Sequence, residues 1–215
     1  MTKNTRSLTN GSQSIATVDL LTLRQQLLDL FCQVAYQEGD FLLTSGQRAS
    51  YYINGKQVTL HPQGGLAVGR LVLPLLPEGT QAVAGLTLGA DPIVTAVSVV
   101  AAYEGLSLPA LIIRKEAKGH GTRAYIEGPD LPEGSSVTVL EDVVTTGQSA
   151  LKAVERLQQA GYHVNGVISL VDRLQGGAAL YEQHGLPFQA VFAIPEIQQR
   201  STALRHETEE TSTAG

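Results

Sequence analysis

Apolar positions along the chain follow two rhythms, and their alternation predicts the elements. Leu20, Leu23, Leu27, Leu30, Phe31 and Val34 recur at the spacing of one helix face, with Gly39 beyond them as a stop signal. Short β-like pieces follow around Phe41–Leu43 and Tyr51–Asn54, separated by the turn composition Ser45-Gly46-Gln47. Pro62 marks the first turn of a helix running to about Leu76. From there one theme repeats. Ala82–Leu86, Ala110–Arg114, Val137–Leu140 and Val164–Val171 read as buried strands, while helices are predicted from Asp91-Pro92 to about Tyr103 and from about Gly147 to Ala160. Near-continuous Val/Ile/Leu runs alternating with helices imply an α/β fold, a parallel sheet covered on both faces. Ligands of such sheets sit beyond the carboxyl ends of the strands, so the segments after the strands are where chemistry is expected. Residues 1–19, rich in Ser, Thr, Asn and Gly, read as a disordered tail, and so do residues 206–215, which lack an apolar anchor. One domain over 20–200 remains.

Composition narrows the class. With 43% apolar and 16% charged residues, the chain is neither largely disordered nor a coiled coil. No apolar run is long enough for a membrane span, and no apolar stretch follows the first basic residues as a secretory signal would require. The single cysteine, Cys32, excludes an internal disulfide framework and a Cys-rich zinc site. Nothing local would lower its pKa, so it reads as a core-edge residue. A net charge of -5 argues against general nucleic-acid affinity. The expectation is a soluble, cytoplasmic protein with neither nucleic acid nor membrane as partner.

The most informative segment is Val137-Thr138-Val139-Leu140-Glu141-Asp142-Val143-Val144-Thr145-Thr146-Gly147-Gln148-Ser149. An apolar strand ends in two carboxylates, and a loop of small and hydroxyl residues then opens a helix. Small residues let backbone N–H groups approach an anion at a helix N-terminus, and Thr145, Thr146 and Ser149 add donors. Like charge keeps the carboxylates off that phosphate and suits them to sugar hydroxyls or a cation. A helix cap beside a solvated acidic pair is the bland alternative. Neither a Gly-x-x-x-x-Gly-Lys-Ser/Thr loop nor a Gly-x-Gly-x-x-Gly turn after a strand occurs, so a P-loop NTPase or dinucleotide enzyme is unsupported.

A second segment, Arg114-Lys115-Glu116-Ala117-Lys118-Gly119-His120-Gly121-Thr122-Arg123, sets four Lys/Arg against one acid in an acidic chain. A cationic, glycine-containing loop beyond a strand end can close over a polyphosphate and exclude water. The plain alternative is a solvated basic loop. Tyr51 and Tyr52 are adjacent on a strand, so at most one can serve as a ring platform. Arg173 ends the strand Ser169-Leu170-Val171-Asp172, where a surface ion pair is the ordinary reading.

In order, the Val137–Ser149 segment resembles the phosphoribosyl diphosphate-binding motif of the type I phosphoribosyltransferases. Arg114-Lys115-x-x-Lys118-x-His120-Gly121 resembles the catalytic loop of the orotate phosphoribosyltransferases, and Phe41-Leu42-Leu43-Thr44-Ser45-Gly46 with the tyrosine pair is similar to that family's N-terminal hood. The resemblance spans about Leu20 to Ile194. It implies a type I phosphoribosyltransferase-like parallel sheet flanked by helices, with a small hood from about 20–60. It further implies transfer of ribose 5-phosphate from phosphoribosyl diphosphate to orotate, in pyrimidine biosynthesis. Implied ligands of phosphoribosyl diphosphate are Arg114, Lys115, Lys118, His120, Glu141, Asp142, Val143, Val144, Thr145, Thr146, Gly147, Gln148 and Ser149, with Lys115, Lys118, His120 and Asp142 catalytic. Orotate falls to Tyr51, Tyr52, Thr145 and Arg173, whose guanidinium suits a planar acceptor edge. The cofactor implied is Mg2+, held mainly by the substrate's pyrophosphate, and the assembly implied is a homodimer with shared active sites.

Three positions depart from the family pattern. Thr44 stands where a hood lysine is expected, Glu141 where Asp is commoner, and Leu88-Gly89 where many relatives carry Tyr-Lys. Thr44 and Gly89 lose cations, whereas Glu141 is a conservative change, and two rivals remain: a regulator that binds phosphoribosyl diphosphate on the same fold, and a phosphoribosyltransferase for another base that shares the phosphate loop.

Overall fold

Asp19 starts the first helix. Its carboxylate accepts the backbone N–H groups of Leu21 and Thr22, both at 3.0 Å, which satisfies free donors at the start of α1 (Leu20–Leu30). The computed structural model describes residues 14–42, 48–118 and 124–213; the expected turn at Ser45-Gly46-Gln47 and the candidate His120 lie outside them. The α-helix does not reach Val34. Phe31–Ala35 form a wider π turn, which swings the apolar stripe so that Phe31 and Ala35 are buried while Leu20 and Val34 stay exposed. The chain passes directly into β1 (Tyr36–Leu42), antiparallel to β2 (Arg48–Ile53), so Gly39 lies inside a strand rather than ending a helix. This hairpin is the hood.

A short helix α2 (Lys56–Thr59) leads to α3 (Pro62–Val72), which starts on Pro62 as expected and tightens into a 3-10 turn at Leu73–Leu75. The main sheet follows: β3 (Ala82–Leu86), α4 (Asp91–Tyr103), β4 (Ala110–Ile113), β5 (Ile126–Glu127), β6 (Ser136–Val144), α5 (Gln148–Gln159), β7 (His163–Asp172), α6 (Gly177–Gln183), β8 (Phe188–Ala193) and α7 (Ile194–Thr213). Its order is β5-β4-β3-β6-β7-β8, parallel throughout except for β5 against β4. One strand differs from expectation where it matters. β6 runs through Glu141 and Asp142 to Val144, because Val143 and Val144 keep pairing with Val171 and Asp172 of β7.

One face of the sheet is covered by α1, α3 and α4, packed around Leu23, Leu27, Phe31, Val68, Val94 and Val97. On the other lies α5, with Ala150, Val154 and Leu157 against β3, β6 and β7. The described residues of the two stretches read as tails, 14–19 and 206–213, join the fold. Val18 is buried in the core, and α7 continues through His206 to Thr213. Ile194 and Ile197 anchor its start, and charge fixes the rest: Glu196 accepts from Arg24, Arg200 donates to Asp29, and Arg205 to Glu38. These partners lie more than 160 residues away in sequence, beyond the reach of any local pattern. No helix among the described residues is long and apolar enough to cross a membrane.

α3 and α4 touch through Gly69. A Cβ there would lie 2.6 Å from Val100 Cγ2 and 2.7 Å from the Ala96 carbonyl oxygen. Gly69→Val is therefore expected to cost roughly 1–3 kcal/mol through overpacking, read as a lowered thermal midpoint with helix content retained.

Candidate functional site

The sheet opens at one place. Chain order runs outward from β3 to β4 on one side and from β6 to β7 and β8 on the other, so β3 and β6 flank the switch point where such sheets hold ligands. Their ladder ends at Ala84 beside Val139, whereas β6 and β7 stay paired to Val144 and Asp172. Close packing continues just past the last pair: a Cβ on Gly85 would lie 2.2 Å from Ala90 Cβ and 2.6 Å from the Leu140 carbonyl oxygen. Beyond it the segment Thr87–Ala90 crosses toward Asp142.

On one side of β6 lies the phosphate-type loop. Glu141, Val143, Val144, Thr145, Thr146, Gly147, Gln148 and Ser149 line a cavity of about 90 Å3 at the N-terminus of α5, closed below by Tyr181. The unsatisfied N–H groups and dipole of a helix start favour an anion there. Gly147 has a different task from the one its small size suggests. Its φ is +84°, and a Cβ would meet the Tyr181 ring and Gly177 at 3.0–3.1 Å, so it is Gly to make the left-handed turn against α6. The Tyr181 hydroxyl donates to its carbonyl at 3.2 Å, bracing the loop from beneath.

The two carboxylates do not act side by side. Adjacent strand residues face opposite sides, and here Glu141 lines the anion cavity while Asp142 is enclosed by Gly55 of the hood side and Gly89 after β3. A Cβ on Gly89 would stand 2.7 Å from Asp142 Oδ1, and one on Gly55 3.0 Å from Asp142 Cβ. Gly89 thus leaves room for the carboxylate itself. Asp142 Oδ1 accepts from the Val143 N–H at 2.9 Å, which fixes its orientation. Glu141 is buried with Oε2 unpartnered, and burial together with the neighbouring Asp142 charge pushes its pKa up to about 8. The shift favours its neutral form, which eases repulsion of a nearby anion. The Lys115 ammonium pulls weakly the other way.

The basic segment leaves β4 and returns to β5, its feet joined by Arg114 N–H to the Tyr125 carbonyl and Lys118 N–H to that of Ala124, both 2.8 Å. Lys115 and Lys118 are exposed. Arg114 pairs with Glu127 at 2.9 Å, and Lys118 approaches the same carboxylate at 3.7 Å. At the hood, the structure separates the tyrosines. Tyr51 is buried, with its hydroxyl accepting from Arg173 Nε at 2.9 Å and the guanidinium 4.8 Å from its ring centre. Tyr52 faces away, half exposed against Phe41. Arg173 in turn donates its backbone N–H to the Val144 carbonyl at 2.9 Å, one residue before Thr145. Tyr51, Arg173 and Thr145 thus gather at one end of β6 and β7, and Tyr52 does not join them.

Motif reading passes over Gly55, Tyr181 and Gly177, which shape this site from behind. The Gly176-Gly177 doublet is the one local signal for them: a Cβ on Gly177 would lie 2.2 Å from Val144.

Glu141 gives a pH signature. Its pKa is 4.5 as a free group and about 8 in the fold, so between these values the folded chain holds a proton that the unfolded chain has lost. Its contribution is complete below pH 4.5 and is lost as pH rises through 8, at a slope of up to ~1.4 kcal/mol per pH unit. Glu141→Gln should flatten that decline in urea unfolding measured from pH 5 to 8. A variant declining in parallel with the wild type would show that Glu141 titrates normally.

No family model matches the chain. Individual relatives do. Over 200 residues it is 71% identical to the orotate phosphoribosyltransferase of Nostoc sp., covering 93% of this chain and 97% of that protein. The orotate phosphoribosyltransferase of Synechocystis sp. is 63% identical over 86% of this chain and 94% of its own. Among solved structures, Mycobacterium tuberculosis orotate phosphoribosyltransferase in complex with 5-phospho-alpha-D-ribosyl 1-diphosphate matches with a TM-score of 0.69 and 33% identity, over 82% of this chain and 99% of that one. Identity at that level over nearly whole chains, with a switch-point crevice holding the same motifs, places this chain in the orotate phosphoribosyltransferase family.

Proposed function

We propose that the chain transfers the ribose 5-phosphate of phosphoribosyl diphosphate to orotate, releasing pyrophosphate and forming orotidine 5′-phosphate. One arrangement carries this reading: an anion cavity at the start of α5 on one side of β6, and an oriented carboxylate, Asp142, on the other. The 5′-phosphate occupies the Thr145–Ser149 loop, and that remote contact positions the anomeric carbon. Asp142 accepts from the ribose hydroxyls and stabilises positive charge growing on the ring. Glu141, protonated, donates toward the phosphate end rather than repelling it. Orotate lies by Arg173 and Tyr51, its ring nitrogen bonding to the anomeric carbon from the face opposite the departing pyrophosphate. Lys115, Lys118 and His120 meet the leaving group, for which Arg114 and Lys118 exchange Glu127.

Mg2+ belongs to this reading. Among the described residues no group of three or more His, Cys, Asp or Glu side chains forms a metal cage, which suits an ion carried mainly by pyrophosphate oxygens with few protein ligands. Such an ion neutralises charge on the leaving group. The site of action is the cytoplasm, on the composition argument above.

A homodimer is part of the same proposal. An apolar groove of about 710 Å3 runs between α3 and α4, lined by Leu60, Leu66, Leu88, Pro92 and Val99. Leu60 and Leu88 are each 71% exposed. Leu88 adjoins Gly89 on the wall of Asp142, so a second copy seated in this groove borders the catalytic crevice and its basic loop comes within reach. One observation favours the alternative, a loop serving its own chain: the Lys115 charge already bears on Glu141 of the same chain.

Three measurements test these statements. Absorbance assays with Mg2+ and phosphoribosyl diphosphate should show consumption of orotate and none of uracil or purine bases; the reverse preference overturns the proposal. Asp142→Asn keeps the acceptor for the Val143 N–H but loses the charge, so turnover should fall roughly a hundredfold with the thermal midpoint unmoved. Mixing the impaired Lys115→Ala and Asp142→Asn dimers, with subunit exchange verified by mass spectrometry, separates the two loop readings. Shared sites restore about half the wild-type activity per heterodimer, whereas loops serving their own chain leave the mixture dead.

A further inference from the structure

Arg156 is a buried cation far from the anion cavity, two turns along α5, and 8% exposed. Burying a guanidinium is costly unless its donors are satisfied, so its partners reveal what it is for. Its two terminal nitrogens donate to the carbonyls of Arg114 and Lys115, the latter at 2.9 Å. Its planar face lies 4.1 Å from the centre of the Tyr125 ring. Arg114 and Lys115 form the outgoing foot of the basic loop, and Tyr125 the returning foot. No partner is a carboxylate. The fork geometry spans two successive carbonyls, which a lysine ammonium cannot do while stacking on a ring.

We infer that Arg156 is a positioning residue that clamps both feet of the basic loop to α5, the helix whose N-terminus holds the phosphate. The described feet of the loop, Arg114–Lys118 and Ala124–Tyr125, are then fixed relative to the bound substrate. Lys115 lies at the edge of the clamped region, with its carbonyl held and its ammonium free to reach the leaving group. This rests on the proposed role of Lys115, but the clamp itself is a statement about the chain. Arg156 touches no reacting atom, so its effect falls on how often the loop is correctly placed rather than on how the 5′-phosphate binds.

The consequence is measurable. Arg156→Met, which keeps length and apolar stem, should lower kcat roughly ten- to a hundredfold through misplacement of the loop, with KM for phosphoribosyl diphosphate changed less than about threefold. In a Lys115→Ala background the same substitution should cost less than about twofold more, because both changes disable one device. Multiplying effects would show that Arg156 acts elsewhere, and the inference falls. Loop placement is also read without catalysis. Trypsin cleavage after Lys115, Lys118 or Arg123 should accelerate severalfold in Arg156→Met while urea unfolding of the remainder is unchanged. Unaltered cleavage overturns the clamp. Should Lys115→Ala retain full activity while Arg156→Met still loosens the loop, the clamp stands and the catalytic role of Lys115 falls. If Arg156→Met does not fold, Tyr125→Leu removes the ring alone, and it must reproduce the faster cleavage for the inference to survive.

Discussion

Everything in the site follows from the parting of two parallel strands. A sheet keeps its neighbours together by exchanging N–H and C=O groups, and where β3 stops exchanging with β6 after Ala84 and Val139, backbone and side chains become available to a ligand. β6 can run on alone on that edge because β7 continues to pair with it. That leaves a rigid strip, Glu141 to Val144, projecting into the crevice. Alternation along the strip sends Glu141 to the anion cavity and Asp142 to the glycine-walled side, so one strand presents two chemistries to two parts of one substrate.

Electrostatics divides along the same strip. A crevice for a polyphosphate needs little fixed negative charge at the anion and some at the developing cation. Burial meets the first need by favouring the neutral form of Glu141, and the Val143 N–H helps the second by aiming the Asp142 carboxylate. Two of the basic residues, Arg114 and Lys118, stay outside and rest on Glu127. Gly89, where a side chain would collide with the Asp142 carboxylate, admits it at close range.

Period and composition made the parallel sheet legible. β3 and α4 begin and end where Ala82, Leu86, Asp91 and Tyr103 suggest, since a continuous apolar run and an Asp-Pro start depend on local chemistry alone. The phosphate loop was legible for the same reason. What escaped was set by contacts distant in sequence. The π turn at Phe31–Ala35 answers to the packing of Phe31 on Phe192. β5 is two residues long and exists as a partner for β4. The second constraint on Gly147, the Tyr181 ring packed beneath it, sits 34 residues later. Tyr51 and Tyr52 were separable in principle by alternation, but which one faces Arg173 required the fold.

The last helix is attached differently from the rest. Past Ile197, α7 is held to α1 and β1 by Arg200 on Asp29 and Arg205 on Glu38, pairs between one-quarter and one-half exposed rather than sealed in the core. Interactions of that kind weaken as ionic strength rises, whereas apolar contacts do not. The carboxyl-terminal half of α7 is therefore attached by a seam whose strength depends on the ionic strength around it, while the crevice, closed by sheet and glycine, does not share that dependence.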